Sequence, residues 1–176
     1  MSGFLHVFRK NSEFNKYYSN YYNDILRHAA YLTGNFQAAE DICQETFMKL
    51  YGSPPMHENV LAWLRRVASN LSYNYLKGQT LHRKKEEEIT GNDEMNSLSI
   101  EDSALRNIDM EITRKVLKKL SARDRICLML KFSGYRYREI AEAIDVDTGS
   151  VGTILARAQA KFKEYYQKEA QINEMH

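Results

Sequence analysis

The segment from Tyr137 to Phe162 holds the densest set of side chains able to do recognition chemistry. Ile140, Ala141 and Ile144 fall at helical spacing, Asp145–Asp147 break the pattern, and Val151, Leu155, Ala158 and Phe162 resume it. Small Ala141 lets a second helix cross closely, and Asp147 or Thr148 offers an N-cap oxygen to that helix. A short helix, a tight break and a longer amphipathic helix form the layout of a helix-turn-helix, which places the exposed start of its second helix in the major groove of DNA. Ser150, Thr153 and Arg157 then face outward, while Arg136 and Arg138 flank the first helix where phosphates would lie. Arginine grips a guanine edge or a phosphate with two parallel bonds, and serine or threonine can bond either. The same periodicity equally fits an αα-hairpin packed inside a helical domain.

Elsewhere the residue types point away from catalysis. The five histidines are scattered, and there is no HExxH, no phosphate-cradling glycine loop and no nucleophile motif. No catalytic residue, metal ligand or cofactor is expected. Cys43 and Cys127 lie far apart without a CxxC or Cys/His cluster, so they read as small buried hydrophobes in a reducing cytoplasm. No run of eighteen apolar residues is present, and the N-terminal MSGFLHVFRK lacks a small-residue cleavage site. Neither membrane insertion nor a signal peptide is expected, and the expected location is cytoplasmic.

The elements that must position these residues are helices. Only 2 prolines and 8 glycines punctuate 176 residues, which disfavours a turn-rich β protein. Phe14, Tyr18, Tyr21, Ile25, Ala29 and Leu32 form one stripe ending at Gly34, and Asn35 can cap a second helix with Ala39, Ile42, Cys43, Phe47 and Leu50. Pro54 and Pro55 interrupt before a third stripe of Leu61, Leu64, Val67, Ala68, Leu71 and Tyr75. Ile108, Ile112, Val116, Leu117 and Leu120 make a fourth. Ser121 starts a fifth helix, with Asp124 three residues on in near-capping-box spacing, Ile126, Leu130 and Met129 inward, and Gly134 as its stop. Residues 1–79 carry eight Lys/Arg against six Asp/Glu, residues 80–106 four against seven, and residues 107–176 thirteen against ten. The middle, with RKKEEE and TGNDEMNS, is polar and almost free of aromatic residues, as in a flexible connector. The expectation is an all-α chain of two small helical domains: 1–79, a flexible acidic linker 80–106, a helix-turn-helix domain 107–170 and a tail 171–176.

YREIAEAIDVDTGSVGTILARA resembles the C-terminal helix-turn-helix of the extracytoplasmic-function sigma factors of bacterial RNA polymerase, and LSARDRICLMLKFSGY resembles the helix before it. YYNDILRHAAYLTGNFQAAEDICQETFMKLY is similar to the polymerase-docking part of that family's region two, and AWLRRVASNLSYNYLK to its minus-ten promoter-reading helix. The matches cover nearly the whole chain outside the linker, in the family's order. The resemblance implies a sigma factor that binds core RNA polymerase, recognises minus-ten and minus-thirty-five elements and assists strand opening. Its partners would be core polymerase, promoter DNA (duplex and melted non-template strand) and an anti-sigma factor. The acidic linker would thread polymerase channels that later carry RNA, and the magnesium chemistry would be the polymerase's.

The resemblance also assigns residues. Asp41, Gln44 and Glu45 would lie on an exposed helix side and dock a clamp coiled coil of the polymerase, with Phe47 serving either that contact or, by preference, the core. For the minus-ten element, a base leaves the stack for a pocket between the loop Gly52–Glu58, including Pro54, and the following helix. Asn70 matches the base-reading position, since its amide donates and accepts at once. Arg65, Arg66 and Lys77 would grip phosphates, Asn74 is a further polar candidate, and Trp63 is either a contact or a packing anchor. Many relatives carry Lys and Arg where this chain has Gly152 and Ile154, and Gly where it has Asp145. Minus-thirty-five reading would then rest on Arg136, Arg138, Ser150, Thr153, Arg157 and Lys161. The rival expectation is a stand-alone helix-turn-helix regulator that binds promoter DNA by itself and needs neither DICQETF nor WLRRVASN; a helical adaptor that binds only protein is a third.

Overall fold

The computed structural model describes residues 2–56, 59–90 and 108–174, with side chains over 12–56, 59–80 and 110–172. Those residues form seven helices and no strand: α1 (Ser2–Thr33), α2 (Phe36–Gly52), α3 (Val60–Thr90), α4 (Ile108–Lys119), α5 (Ala122–Phe132), α6 (Tyr137–Ile144) and α7 (Thr148–Glu174). The chain falls into two compact units, Met1–Ser72 and Tyr73–His176.

In the first unit the breaks come where the local chemistry demands them. Gly34 takes φ 66, the left-handed conformation that ends α1, and Asn35 then caps α2 by accepting the Ala38 amide at 3.0 Å. α1 packs along α2. Their shared core joins Ile25, Ala29 and Leu32 with Ala39, Ile42, Cys43 and Leu50, and an aromatic cluster closes one end. There the Phe47 ring meets Tyr18 at 5.0 Å, Tyr22 at 6.1 Å and Phe14 at 6.4 Å between centroids. After Pro54 and Pro55, Asn59 caps α3 by accepting the Leu61 and Ala62 amides at 3.0 and 3.3 Å, a cap the sequence reading did not identify. Leu64 and Ala68 of the expected α3 stripe are buried, whereas Leu61, Val67, Leu71 and Tyr75 are only half-buried. Ser69 and Ser72 are the further buried positions of this unit, while Tyr73 and Leu76, buried on the same helix, fall in the second. The two serines tolerate this because each hydroxyl donates to the carbonyl four residues back, Arg65 at 2.8 Å and Ala68 at 2.7 Å.

α3 carries on past residue 79 to Thr90, so the first part of the expected connector is helical; residues 91–107 lie outside the described residues.

In the second unit α7 packs against α4, α5 and α6. Ile112, Val116, Leu120, Ile126, Leu130, Ile140, Ile144, Val151 and Leu155 fill its core, and Met129 joins them. Gly134 stops α5 with φ 85, and Asp145 stops α6 with φ 53. The tight turn to α7 completes the helix-turn-helix over α6 and α7. Ile154 is buried, so this position adds to the core. Phe162 is half-buried and stacks on Tyr166 at 5.9 Å. α7 continues through the expected tail to Glu174.

Candidate functional site

Three faces can be built from these helices. On α2, Asp41, Gln44 and Glu45 are exposed while Ile42, Cys43 and Phe47 point inward, which is the separation a 3.6-residue repeat produces. Glu45 pairs with Lys49 at 3.4 Å across one helical turn, an exposed pair that contributes little to stability. Phe47 is 2 % exposed and locked among the α1 aromatics, which removes its side chain from any docking surface and makes it a core residue. Met48, by contrast, is 74 % exposed and lies three and four residues on from Glu45 and Gln44. In the sequence it is marked only as an apolar residue outside the Ile42–Phe47–Leu50 stripe.

On α3, Trp63, Arg66 and Asn70 succeed one another at three and four residues, and Asn74 and Lys77 extend the same helical line. Trp63, Arg66 and Asn70 are half-buried, while Asn74 and Lys77 are exposed. Such a line offers an amide for a base edge, an indole face for stacking and cations for phosphates. Arg65 is turned the other way. Its guanidinium donates to Asp24 Oδ2 at 3.2 Å, while Arg27 donates to Asp24 Oδ1 at 3.2 Å, so Arg65 ties α3 to α1. One turn further along that inner side, His28 Nε2 and Ser69 Oγ are 2.8 Å apart. Ser69 Oγ also lies 2.8 Å from the Arg65 carbonyl, so the hydroxyl links the imidazole to the α3 backbone. Burial, reinforced by the Arg65 charge and opposed by Asp24, lowers the His28 pKa to about 4 and keeps the ring neutral at physiological pH. Of the loop before α3, Pro54 is exposed and Gly52 belongs to α2; His57 and Glu58 lie outside the described residues.

On the second unit, Ser150, Thr153 and Arg157 are all exposed and follow one another at three and four residues along α7. Arg136 and Arg138 are exposed at the start of α6, where the Glu139 carboxylate accepts the Arg136 amide at 2.8 Å and Arg138 lies 3.5 Å from Glu142. Gly152 lies beside Tyr137, whose ring would be 3.8 Å from an added Cβ, and Lys131 Nζ stands 5.0 Å above that ring. Arg157 and Lys161, expected as DNA cations, both also reach a buried carboxylate. Arg157 Nη2 donates to Asp124 Oδ1 at 2.6 Å and Lys161 Nζ to Oδ2 at 3.4 Å. Ser121 caps α5 by accepting the Asp124 amide at 3.2 Å, but the Asp124 side chain faces α7 rather than completing a capping box. Both thiols are buried and free, and burial pushes Cys43 and Cys127 up to about 11, with the Asp124 charge adding to the effect at Cys127. Among the described residues no group of three or more His, Cys, Asp or Glu side chains could hold a metal, and no helix is long and apolar enough to cross a membrane.

Two families match the chain: Sigma-70 region 2 over residues 17–81 and Sigma-70 region 4 over residues 110–162. Among curated proteins, the chain is 28% identical over 154 residues to the RNA polymerase sigma factor YlaC of Bacillus subtilis, covering 84% of this chain and 88% of that protein. It is 27% identical over 158 residues to the ECF RNA polymerase sigma factor SigM of the same organism, covering 86% and 93%. Among solved structures it is similar in fold to the sigma factor RpoE, crystallised with the anti-sigma factor NepR from Bartonella quintana. The TM-score is 0.63 at 23% identity, over 88% of this chain and 97% of that one.

Proposed function

The chain belongs to the extracytoplasmic-function group of the sigma-70 family, and from that premise we propose that it docks on core RNA polymerase and reads two promoter elements. It is a sigma factor of transcription initiation, and the stand-alone regulator is set aside because region 2 accounts for residues 17–81. The observation that best supports the division of roles is the Trp63–Arg66–Asn70 line on α3, continued by Asn74 and Lys77, inside the region 2 segment. Residues 1–79 serve docking and minus-ten reading, 80–106 connect, and 107–170 read the minus-thirty-five duplex, with 171–176 as a tail.

Asp41, Gln44 and Glu45, with Met48 among them, meet the polymerase clamp; charge and amide groups give orientation and the thioether adds buried apolar area. A base of the non-template strand leaves the stack at a cost of a few kcal/mol, and Asn70 returns hydrogen bonds to its edge while Arg66 and Lys77 hold the backbone. Arg65, bound to Asp24, sets the seat of α3 and contributes only positive field there. Arg136 and Arg138 grip duplex phosphates at the start of α6, while Ser150, Thr153 and Arg157 face base edges in the major groove. The chain brings no catalysis of its own; bond making and its magnesium belong to the polymerase, which also sets the cytoplasmic place of action. An anti-sigma protein is the expected control, as RpoE was crystallised with NepR.

The first test is core binding. The double change Asp41→Ala/Gln44→Ala is expected to weaken association with purified core polymerase by roughly tenfold or more, with helical content unchanged. Unaltered affinity would move the docking surface elsewhere.

A further inference from the structure

Asp124 occupies the first turn of α5 and its side chain is 1 % exposed, yet it carries two cations from another helix. Burial by itself pushes its pKa upward, but hydrogen bonds from Arg157 and Ser121, with the charges of Arg157 and Lys161, outweigh burial and hold it below the ordinary aspartate range. The carboxylate is therefore ionised at neutral pH. Arg157 is committed to it on one side only. Its Nη2 lies 2.6 Å from Asp124 Oδ1, while the side chain remains 51 % exposed. Arg157 also ends the exposed Ser150–Thr153–Arg157 line on α7. A guanidinium is a rigid planar fork with five donors, so holding Nη2 against a buried carboxylate restricts the directions in which the remaining donors can point. Lys161, a point charge on the other oxygen, keeps the cluster net positive toward an anionic duplex.

We propose that Asp124 is a positioning residue for DNA reading: it holds the Arg157 guanidinium so that the outer edge of the fork meets a guanine in the minus-thirty-five major groove. This rests on the reading above that Arg157 faces the duplex. An arginine ordered before binding does not lose its rotamer freedom during binding, and two fixed parallel donors match the guanine N7 and O6 acceptors. Discrimination at that one base pair is therefore expected to depend on Asp124, which itself touches no DNA.

The experiment is a selection of initiating promoters from a library randomised in the minus-thirty-five element, using holoenzyme reconstituted from core polymerase and the full chain. Arg157→Ala should relax preference at one base position. Asp124→Asn should reduce discrimination at that same position by about threefold to tenfold, with core affinity unchanged, and should add nothing when combined with Arg157→Ala. Asp124→Glu keeps the ion pair, and so the fold, but displaces the fork by one methylene; it should give the same selective loss even if Asp124→Asn is poorly folded. Full discrimination in both Asp124 variants, with Arg157→Ala still relaxing one position, would overturn the proposal and leave the reading of Arg157 standing. A uniform rise in promoter affinity on Asp124→Asn, with preference unchanged, would overturn it as well, since Asp124 would then be competing with DNA for the arginine. If Arg157→Ala alters no position, the reading of Arg157 itself is lost and the proposal with it.

Discussion

Two arginines adjacent in sequence, Arg65 and Arg66, end on different sides of α3, and that divergence decides what each can do. Arg65 is bonded to Asp24 of α1, whereas Arg66 lies on the line of Trp63 and Asn70. If Asn70 reads a flipped base, Asn70→Ala removes hydrogen bonds worth about 1–3 kcal/mol at an enclosed site. Open-complex yield, followed by fluorescence of a base analogue in the melted strand, should fall roughly tenfold while core binding is spared; equal yields would remove Asn70 from the site. His28 gives a separate expectation on the inner side of the same helix. Its pKa is lowered from 6.5 to about 4 by burial and the Arg65 charge. Between those values the unfolded chain binds a proton that the folded unit refuses. The stabilising effect of the neutral ring is thus complete above pH 6.5 and lost as pH falls toward 4, on the order of 3 kcal/mol in all. Urea unfolding read by Trp63, the single tryptophan, should show this slope for the parent and a much flatter one for His28→Gln; equal slopes would exclude His28 as its source. Motifs single out Asn70 and Asp41 in the sequence, and the exposure of Asp41 follows from the helical repeat. The partners of Asp124 are not legible there, because an aspartate three residues after Ser121 reads as a local cap, while Arg157 and Lys161 come to it 33 and 37 residues away.

At the scale of elements, helix ends were the most readable features. Gly34, Asn35, Ser121 and Gly134 each stand where a backbone group needs a left-handed turn or a side-chain acceptor, and each is used so. Inner faces were less readable. Ser69 and Ser72 are polar by type, but in α3 they are buried because their hydroxyls bond back along the helix. The cations that relatives carry suggest an outward-facing position for Ile154; the α7 register instead buries it, with Leu155 and Ala158. The turn between α6 and α7 keeps a residual cost, since Asp145 holds φ 53 where glycine is at ease. Asp145→Gly is expected to stabilise the second unit by up to about 1 kcal/mol, less whatever glycine adds to the entropy of the unfolded chain. Slower amide exchange in α6 and the first turns of α7 would show it, and faster exchange would contradict it.

At the scale of the whole molecule, the two units carry different kinds of surface. The first combines an acidic, amide-bearing helix side around Met48 with the Trp63–Arg66–Asn70 line on α3. The second presents arginines and hydroxyls across a helix-turn-helix. In the proposed function both surfaces act together, on one polymerase at one promoter. Run-off transcription with purified core polymerase on a pool of genomic promoters tests this most directly. Discrete transcripts that need both core and this chain, and that vanish when either is withheld, are the predicted result. Absence of any promoter-specific transcript, together with failure of core to co-purify with the chain, would contradict it.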